Sequence, residues 1–427
     1  ILLSNIRNRR LEISTKINTI ISEIKDSFPE YYEKRFALYA IGVNRLQQKI
    51  LTPHQTLLEY YLTDSLLITF VIRQDTFFMH THAVQPDFKK TAKAFIDLLG
   101  NGKGYNKDEA TTRAYSLYQD LIEPIAKSIP DSAELIIVPD GILSLLPFEA
   151  LLTKESSKSV RPEWLIRKYP ISYAISATVL ADMKSRPSLQ KQAIEFLGFA
   201  PVYQGLDTVA VAQKWDQSPG VNKRGGLVAL TYNKPEVRDI GEMAQKEQIS
   251  NKNSTKGEIK YLMDSLATVR AFIQHVTQAR IVHFSGHAKG YEDAGDYSFM
   301  LFSYPDPIDS IRLFAKDIYA LPLQAELVTL SGCQTGLGRL NSGEGVIGLG
   351  RAFASAGAKS LVLSLWSVDD EATKDLMVSF YKHLMEGKPK NMALREAKLE
   401  LIEDDKSPIY WAPFVQYGDT KAIYEPK

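Results

Sequence analysis

Apolar residues follow two patterns along this chain, and the change between them divides it. Near the start, Ile6, Ile13, Ile17, Ile20, Ile21 and Ile24 recur at three- and four-residue spacings among polar neighbours, which is one face of a helix. Ser27-Phe28-Pro29 interrupts that helix, and a second is predicted through about Lys49. Residues 1–56 therefore read as a helical segment of the kind that ends a helical repeat array, although no internal period is visible to prove it. From Leu57 the texture changes. The runs 66–72 and 76–82 are strand-like and joined at Arg73-Gln74-Asp75, a predicted hairpin. Helices are predicted over 91–99 and 111–128, and a buried strand over 135–138 ends in Pro139-Asp140-Gly141.

The second half opens with a strand at 193–200. The stretch 203–226 has no clear period and reads as a loop. Helices are predicted at 234–246 and 256–278, then two apolar strands ending near His287 and Cys333. A helix at 345–357, a strand at 360–366 and helices at 370–385 and 392–404 complete the set. Alternating strands and helices of these lengths predict an α/β fold with a mostly parallel, three-layer sheet.

Two strand ends carry the chemistry. Cys333, the single cysteine, lies in Ser331-Gly332-Cys333-Gln334-Thr335-Gly336 directly after Leu327-Val328-Thr329-Leu330. A lone cysteine is more often a small buried apolar residue than a nucleophile. The flanking turn-formers and a second strand with a matching end, Arg280-Ile281-Val282-His283-Phe284-Ser285-Gly286-His287-Ala288, reverse those odds. Carboxyl ends of strands are where α/β sheets collect catalytic groups. The 46 positions from His287 to Cys333 leave room for one crossover between adjacent parallel strands. A thiol needs a base or a lowered pKa to act as a nucleophile, and His287 is the candidate base. His283 lies inside its strand and is expected to pack or orient. His54, His80, His82, His275 and His383 have no supporting context.

Other motifs admit plainer readings. Gly343-Glu344-Gly345-Val346-Ile347-Gly348 fits G-x-G-x-x-G, but it does not follow a strand directly, as a dinucleotide site requires. It is expected instead to start a helix that packs closely through Gly348, Ala352, Ala354 and Ala356, with Glu344 favouring the helix start. Asp369 suits an N-cap and Asp370 a first-turn acid. The same junction would share a rim with His287 and Cys333, where a carboxylate can bind a cation. The acidic loop Glu292, Asp293 and Asp296 could add to that field.

Composition narrows the class. A net charge of +1 gives no global case for nucleic acid or membrane, and 44% hydrophobic with 24% charged residues is ordinary for a globular protein. One cysteine excludes an internal disulfide and a cysteine-based zinc site, which suits a reducing, intracellular setting. A start at Ile1 with no signal peptide reads as a fragment with sequence missing upstream.

Taken in order, Leu135-Ile136-Ile137-Val138-Pro139-Asp140-Gly141 with its continuation to Leu151, Val282 to Ala288, Leu330 to Gly336, Gly343 to Phe353 and Leu365 to Asp370 resemble the CHAT proteases, relatives of caspases and separase. The resemblance covers about 57 to 418. It implies a caspase-like three-layer sandwich with a pseudo-protease half over 57–190 and an active half over 191–427. It implies a cysteine endopeptidase in which Cys333 is the nucleophile and His287 the general base and acid. The oxyanion hole would use the backbone N–H groups of Cys333 and Ala288, the latter a position where many relatives carry glycine. Asp370, with Asp369 beside it, would bind Arg or Lys at P1. The implied partners are a protein substrate and a regulatory protein or upstream helical-repeat region, with no cofactor, metal, nucleic acid or membrane. The implied place is the cytoplasm, and the implied role is processing of a defence or cell-death effector. The alternative is a catalytically silent interaction module of the same fold.

Overall fold

Runs such as Ile194–Ala200 and Ser360–Ser364 are buried at every position, the mark of strands covered on both faces by other layers. The computed structural model describes residues 12, 15–16, 19–29, 40–100, 104–155, 161–188, 192–203, 230–250, 257–290, 295–303, 311–333, 344–366 and 369–426, with the side chains of 250, 333 and 344–347 excepted. The chain forms two compact units, 1–42 and 43–427. In the first, the described residues are helical at 12, 15–16, 19–27 and 29, in line with the isoleucine spacing. Most of the second predicted helix lies outside the described residues; its last part, 43–50, is helical and belongs to the larger unit.

The larger unit is built on one sheet. Its strands among the described residues are β1 (Gln55–Leu62), β2 (Leu66–Ile72), β3 (Phe77–Ala83), β4 (Glu134–Val138), β5 (Ile171–Tyr173), β6 (Ile194–Ala200), β7 (Glu258–Met263), β8 (Ala279–Lys289), β9 (Phe299–Leu301), β10 (Arg312–Phe314), β11 (Leu327–Cys333), β12 (Ser360–Ser364) and β13 (Phe414–Gly418). The order is β10-β9-β8-β11-β12-β13-β5-β4-β1-β2-β3, with β6 beside β8 and β7 beside β6. The pairs β6–β7, β6–β8, β8–β11 and β11–β12 are parallel, as are β13–β5, β5–β4 and β4–β1. The β12–β13 pair alone joins these two parallel stretches, and it is antiparallel. The stretches therefore run in opposite directions, and the carboxyl ends of β8, β11 and β12 lie on the opposite rim from those of β1, β4 and β5.

Helices complete three layers. One face of the stretch from β7 to β12 carries helix Val269–Val276, whose Phe272 meets Phe199 and Phe302, and helix Glu344–Ala356, whose Phe353 meets Phe272. The other carries helix Asn233–Ser250 and helix Asp370–Met385, where Phe196 and His283 pack against Tyr381. Close approach is enforced by glycine at two points. A Cβ on Gly198 would lie 2.6 Å from Val237, and one on Gly348 2.9 Å from the Gly295 carbonyl. Gly348 thus packs its helix as the sequence suggested.

One expectation is overturned. Residues 256–278 are not a single helix: 258–263 form β7, parallel to β6 at the edge of the sheet. Ile259, Tyr261 and Met263 alternate with Glu258 and Lys260, a period of two. Asp264 then takes a positive φ of 54°, and Thr268 caps a separate helix by accepting from Ala271 N. The apolar pattern predicts no strand at β1, β5, β9, β10 or β13. The loop expected at 203–226 lies almost wholly outside the described residues, as does the polar stretch at 156–158.

The run after β4 works as internal wiring on the far rim. The Asp140 carboxylate accepts from Leu62 N at 2.9 Å. Glu149, 3% exposed, accepts from Lys398 Nζ at 2.8 Å and from the Tyr173 hydroxyl. This pair ties the first half to helix Lys390–Glu403. Removing one partner of a buried pair strands the other charge, which costs far more than removing both. Lys398→Met should lower the unfolding free energy by about 3–5 kcal/mol in urea titration. Lys398→Met with Glu149→Gln should recover at least about half of that loss; a double variant as unstable as the single would show that Lys398 acts through packing alone.

Candidate active site

The site is built on the ladder between β8 and β11. Thr329, Leu330 and Ser331 stand opposite His283, Phe284 and Ser285; then the register shifts, and Cys333 stands opposite Ala288. Three positions on β8 face two on β11, so Gly286 and His287 form a bulge. The two glycines permit it. Gly332 has φ +95°, and a Cβ there would lie 3.1 Å from the Gly286 carbonyl oxygen. A Cβ on Gly286 would lie 2.8 Å from both the Phe284 ring and the Tyr203 hydroxyl. Gly332 is thus fitted to the backbone of β8 at Gly286, and Gly286 in turn leaves room for the Phe284 ring and the Tyr203 hydroxyl. His287 sits one residue from the position opposite Cys333.

The strand carrying His287 does not stop there, as the sequence suggested, but runs on to Lys289. Its outer edge changes partner on the way. It pairs with β6 through Phe284 and with β9 from Ala288. Tyr203, just beyond β6, fills the interval. Its hydroxyl accepts from His287 N at 2.8 Å and donates to the Leu301 carbonyl at 3.1 Å. Its ring lies 4.7 Å from the imidazole, centroid to centroid. Burial raises the Tyr203 pKa well above the usual phenol range, so the hydroxyl keeps its proton for Leu301. His287 itself is 3% exposed.

Beneath this layer lies a chain of buried polar groups. His283, fully buried, meets Glu236 through Nε2 at 2.7 Å and the Tyr381 hydroxyl through Nδ1 at 3.2 Å. The Tyr381 hydroxyl also meets Thr329 Oγ1 at 3.0 Å. His283 therefore orients rather than reacts, as its place inside the strand implied. Glu236 sits in the first turn of helix Asn233–Ser250, and Asn233 Nδ2 donates to the carbonyls of Pro201 and Ser285.

Asp370 is tied to that same turn. Its Oδ2 accepts from Thr231 N at 2.6 Å and Tyr232 N at 2.7 Å. A short path of bonds thus leads from Asp370 through Tyr232 and Asn233 to Ser285, two residues before His287. Burial raises the Asp370 pKa, against the two backbone donors that lower it. Asp369 is exposed and caps helix Asp370–Met385 by accepting from Ala372 N at 3.1 Å. So Asp370, His287 and the Cys333 backbone come to one rim, while the Cys333 side chain and residues 334–343 lie outside the described part. Of the acidic loop, Asp296 lies in the described turn Gly295–Tyr297, and Glu292 and Asp293 fall outside the described residues.

A family model for the CHAT domain matches residues 111–419, most of the chain. The chain belongs to the CHAT domain family. The CHAT chain is 26% identical over 353 residues to Tetratricopeptide repeat protein 28 of Homo sapiens, covering 73% of this chain and 13% of that protein. The Mus musculus counterpart is 25% identical over 355 residues with the same coverage. The CHAT chain thus spans about an eighth of these relatives' length. Among solved structures it is similar to the Saccharomyces cerevisiae separase–securin complex, at 10% identity and a TM-score of 0.48, covering 92% of this chain and 31% of that one. It is also similar to Porphyromonas gingivalis RgpB pro- and mature domains, at 9% identity and 0.39, covering 80% and 78%.

The CHAT sequence motifs contain His287, Ala288, Cys333, Asp369 and Asp370, but not Tyr203, Asn233 or Glu236. Asn233 two residues before Pro235 does signal a helix start; nothing local marks Tyr203. Tyr203→Phe removes the acceptor of a buried N–H and the donor to a buried carbonyl. It should lower the unfolding free energy by about 1–3 kcal/mol in chemical denaturation. An unchanged midpoint would mean the hydroxyl bridges nothing in solution.

Proposed function

We propose that this CHAT chain is a cysteine endopeptidase cutting a protein substrate after Arg or Lys. The observation that carries the proposal is the bulged register that sets Cys333 opposite Ala288, beside His287. His287 takes the thiol proton, and the Cys333 sulfur attacks the scissile carbonyl carbon. Backbone N–H groups of Cys333 and Ala288 hold the oxyanion. Collapse of the tetrahedral species breaks the C–N bond, and His287 gives its proton to the leaving amine. Water, losing a proton to His287, then hydrolyses the thioester and restores the thiol. Ala288 lies within the ladder, opposite Met300 as well as Cys333, which fixes its backbone at the cost of adaptability. Asp370 is the P1 carboxylate and Asp369 an outlying charge.

Burial of His287 suits an enzyme held latent until a partner acts, either a regulatory protein or an upstream helical-repeat region. The relatives' name, Tetratricopeptide repeat protein 28, supports the latter. The same burial favours the second reading, a silent interaction module. No described helix is long and apolar enough to cross a membrane; the cytoplasm is the proposed site of action, with a defence or cell-death effector as the class of substrate.

Cleavage assays on peptides with basic P1 residues test the chemistry. Cys333→Ala and His287→Ala should each lower kcat/KM by about 1,000-fold or more, and retained cleavage in Cys333→Ala would end the proposal. Asp370→Ala should cost about 10–100-fold on Arg and Lys peptides, with little change on apolar P1. Alkylation separates the two readings, since every equivalent of label must be on the single cysteine. At pH 7 a dyad thiol should react with iodoacetamide faster than a free thiol and slow in His287→Ala. A silent module should show neither effect.

A further inference from the structure

The Asp370 carboxylate takes its backbone hydrogen bonds on one oxygen only. Both hydrogen bonds from Thr231 N and Tyr232 N, at 2.6 and 2.7 Å, fall on Oδ2, and no described residue bonds Oδ1. A carboxylate oxygen offers about two lone-pair positions, so Oδ2 is filled. These donors are backbone groups, held where they are by Asn233, whose side chain anchors to Pro201 and Ser285, and by Glu236 against buried His283. They cannot swing aside as a side chain would. Asp369, exposed and engaged with Ala372 N, contributes only a screened charge that acts alike on any cation.

We infer that Thr231 and Tyr232 are the specificity-determining residues of the P1 site, and that by saturating one oxygen of Asp370 they make the pocket accept Lys and Arg equally. The inference rests on the reading of Asp370 as the P1 carboxylate. Arginine gains over lysine where a planar fork can place one N–H on each carboxylate oxygen. With Oδ2 filled, that side-on pair has only one leg to stand on. A guanidinium then approaches Oδ1 alone, as an ammonium does, and the second charge-assisted bond is lost. A bond of that kind is worth on the order of ten-fold or more in affinity.

The test uses the full chain carrying Cys333→Ala, so that peptides bind without being cut. Three peptides identical except for Arg, Lys or norleucine at P1 are titrated by calorimetry. The expected result is Arg and Lys within about five-fold of each other, both about ten-fold or more tighter than norleucine, with that advantage absent when Asp370→Ala is added. Arg tighter than Lys by more than about five-fold overturns the inference and leaves the P1 assignment standing. No advantage over norleucine overturns the P1 assignment and the inference with it. Thr231→Pro, which deletes one N–H and reopens a lone pair on Oδ2, should move the ratio toward Arg. A folded Thr231→Pro protein, checked by its circular dichroism, with an unchanged ratio also counts against the inference.

Discussion

Everything at the rim depends on how closely the backbones of β8 and β11 approach at Gly286 and Gly332. A Cβ on Gly286 would press on Phe284 and Tyr203, and Gly332 sits tight against Gly286 with a φ that side chains rarely allow. The approach creates the bulge, the bulge offsets the register, and the offset sets His287 beside the position facing Cys333. It also opens the interval that Tyr203 fills. Two glycines thus do what a dedicated loop does in other sites, and they do it within a buried ladder that resists bending.

The rim is braced by polar groups placed where water cannot reach. Glu236, His283, Tyr381 and Thr329 connect one helix turn to two strands and a second helix. The pairs Glu149–Lys398 and Lys390–Asp419, buried to a similar degree, anchor helix Lys390–Glu403 to the turn at Phe148–Ala150 and to the chain just beyond β13. Such pairs seldom add net stability over a well-packed apolar core. Their effect is on uniqueness, because each charge has one geometry in which its burial is tolerable. The helix turn at Thr231 to Glu236 is the clearest example. It is gripped from Asp370, Ser285, Pro201 and His283 together, so the acid at one side of the rim and the histidine at the other share a fixed frame.

Much of this was readable from the chain and some was not, for reasons that differ residue by residue. Strands β8, β11 and β12 and the helices beginning at Glu344 and Asp370 stand out because buried elements write continuous or periodic apolar runs, bounded by small residues. Their pairing followed from chain order alone. Strand β7 is hard to read because Glu258-Ile259-Lys260-Tyr261-Leu262-Met263 is too mixed for a buried strand; it is a half-exposed edge strand, made one by β6, more than sixty residues upstream in numbering. Strands β1 and β13 likewise take their identity from distant neighbours. At the site, His287 and Cys333 were marked by their shared local context. Tyr203, Asn233 and Glu236 are single polar residues whose roles exist only in contacts across the fold, and no local pattern announces such a role.

The antiparallel seam between β12 and β13 also has a bearing on time. Strand β13 spans 414–418, and every other strand among the described residues precedes it in the chain. Synthesis runs from the first residue to the last, so β12 and β5 leave the ribosome before the strand that joins them. Until then β5 and β12 each present an open edge, a template for pairing with the wrong chain. The sheet closes only when β13 arrives, which makes the emergence of that one strand a checkpoint for joining the two stretches.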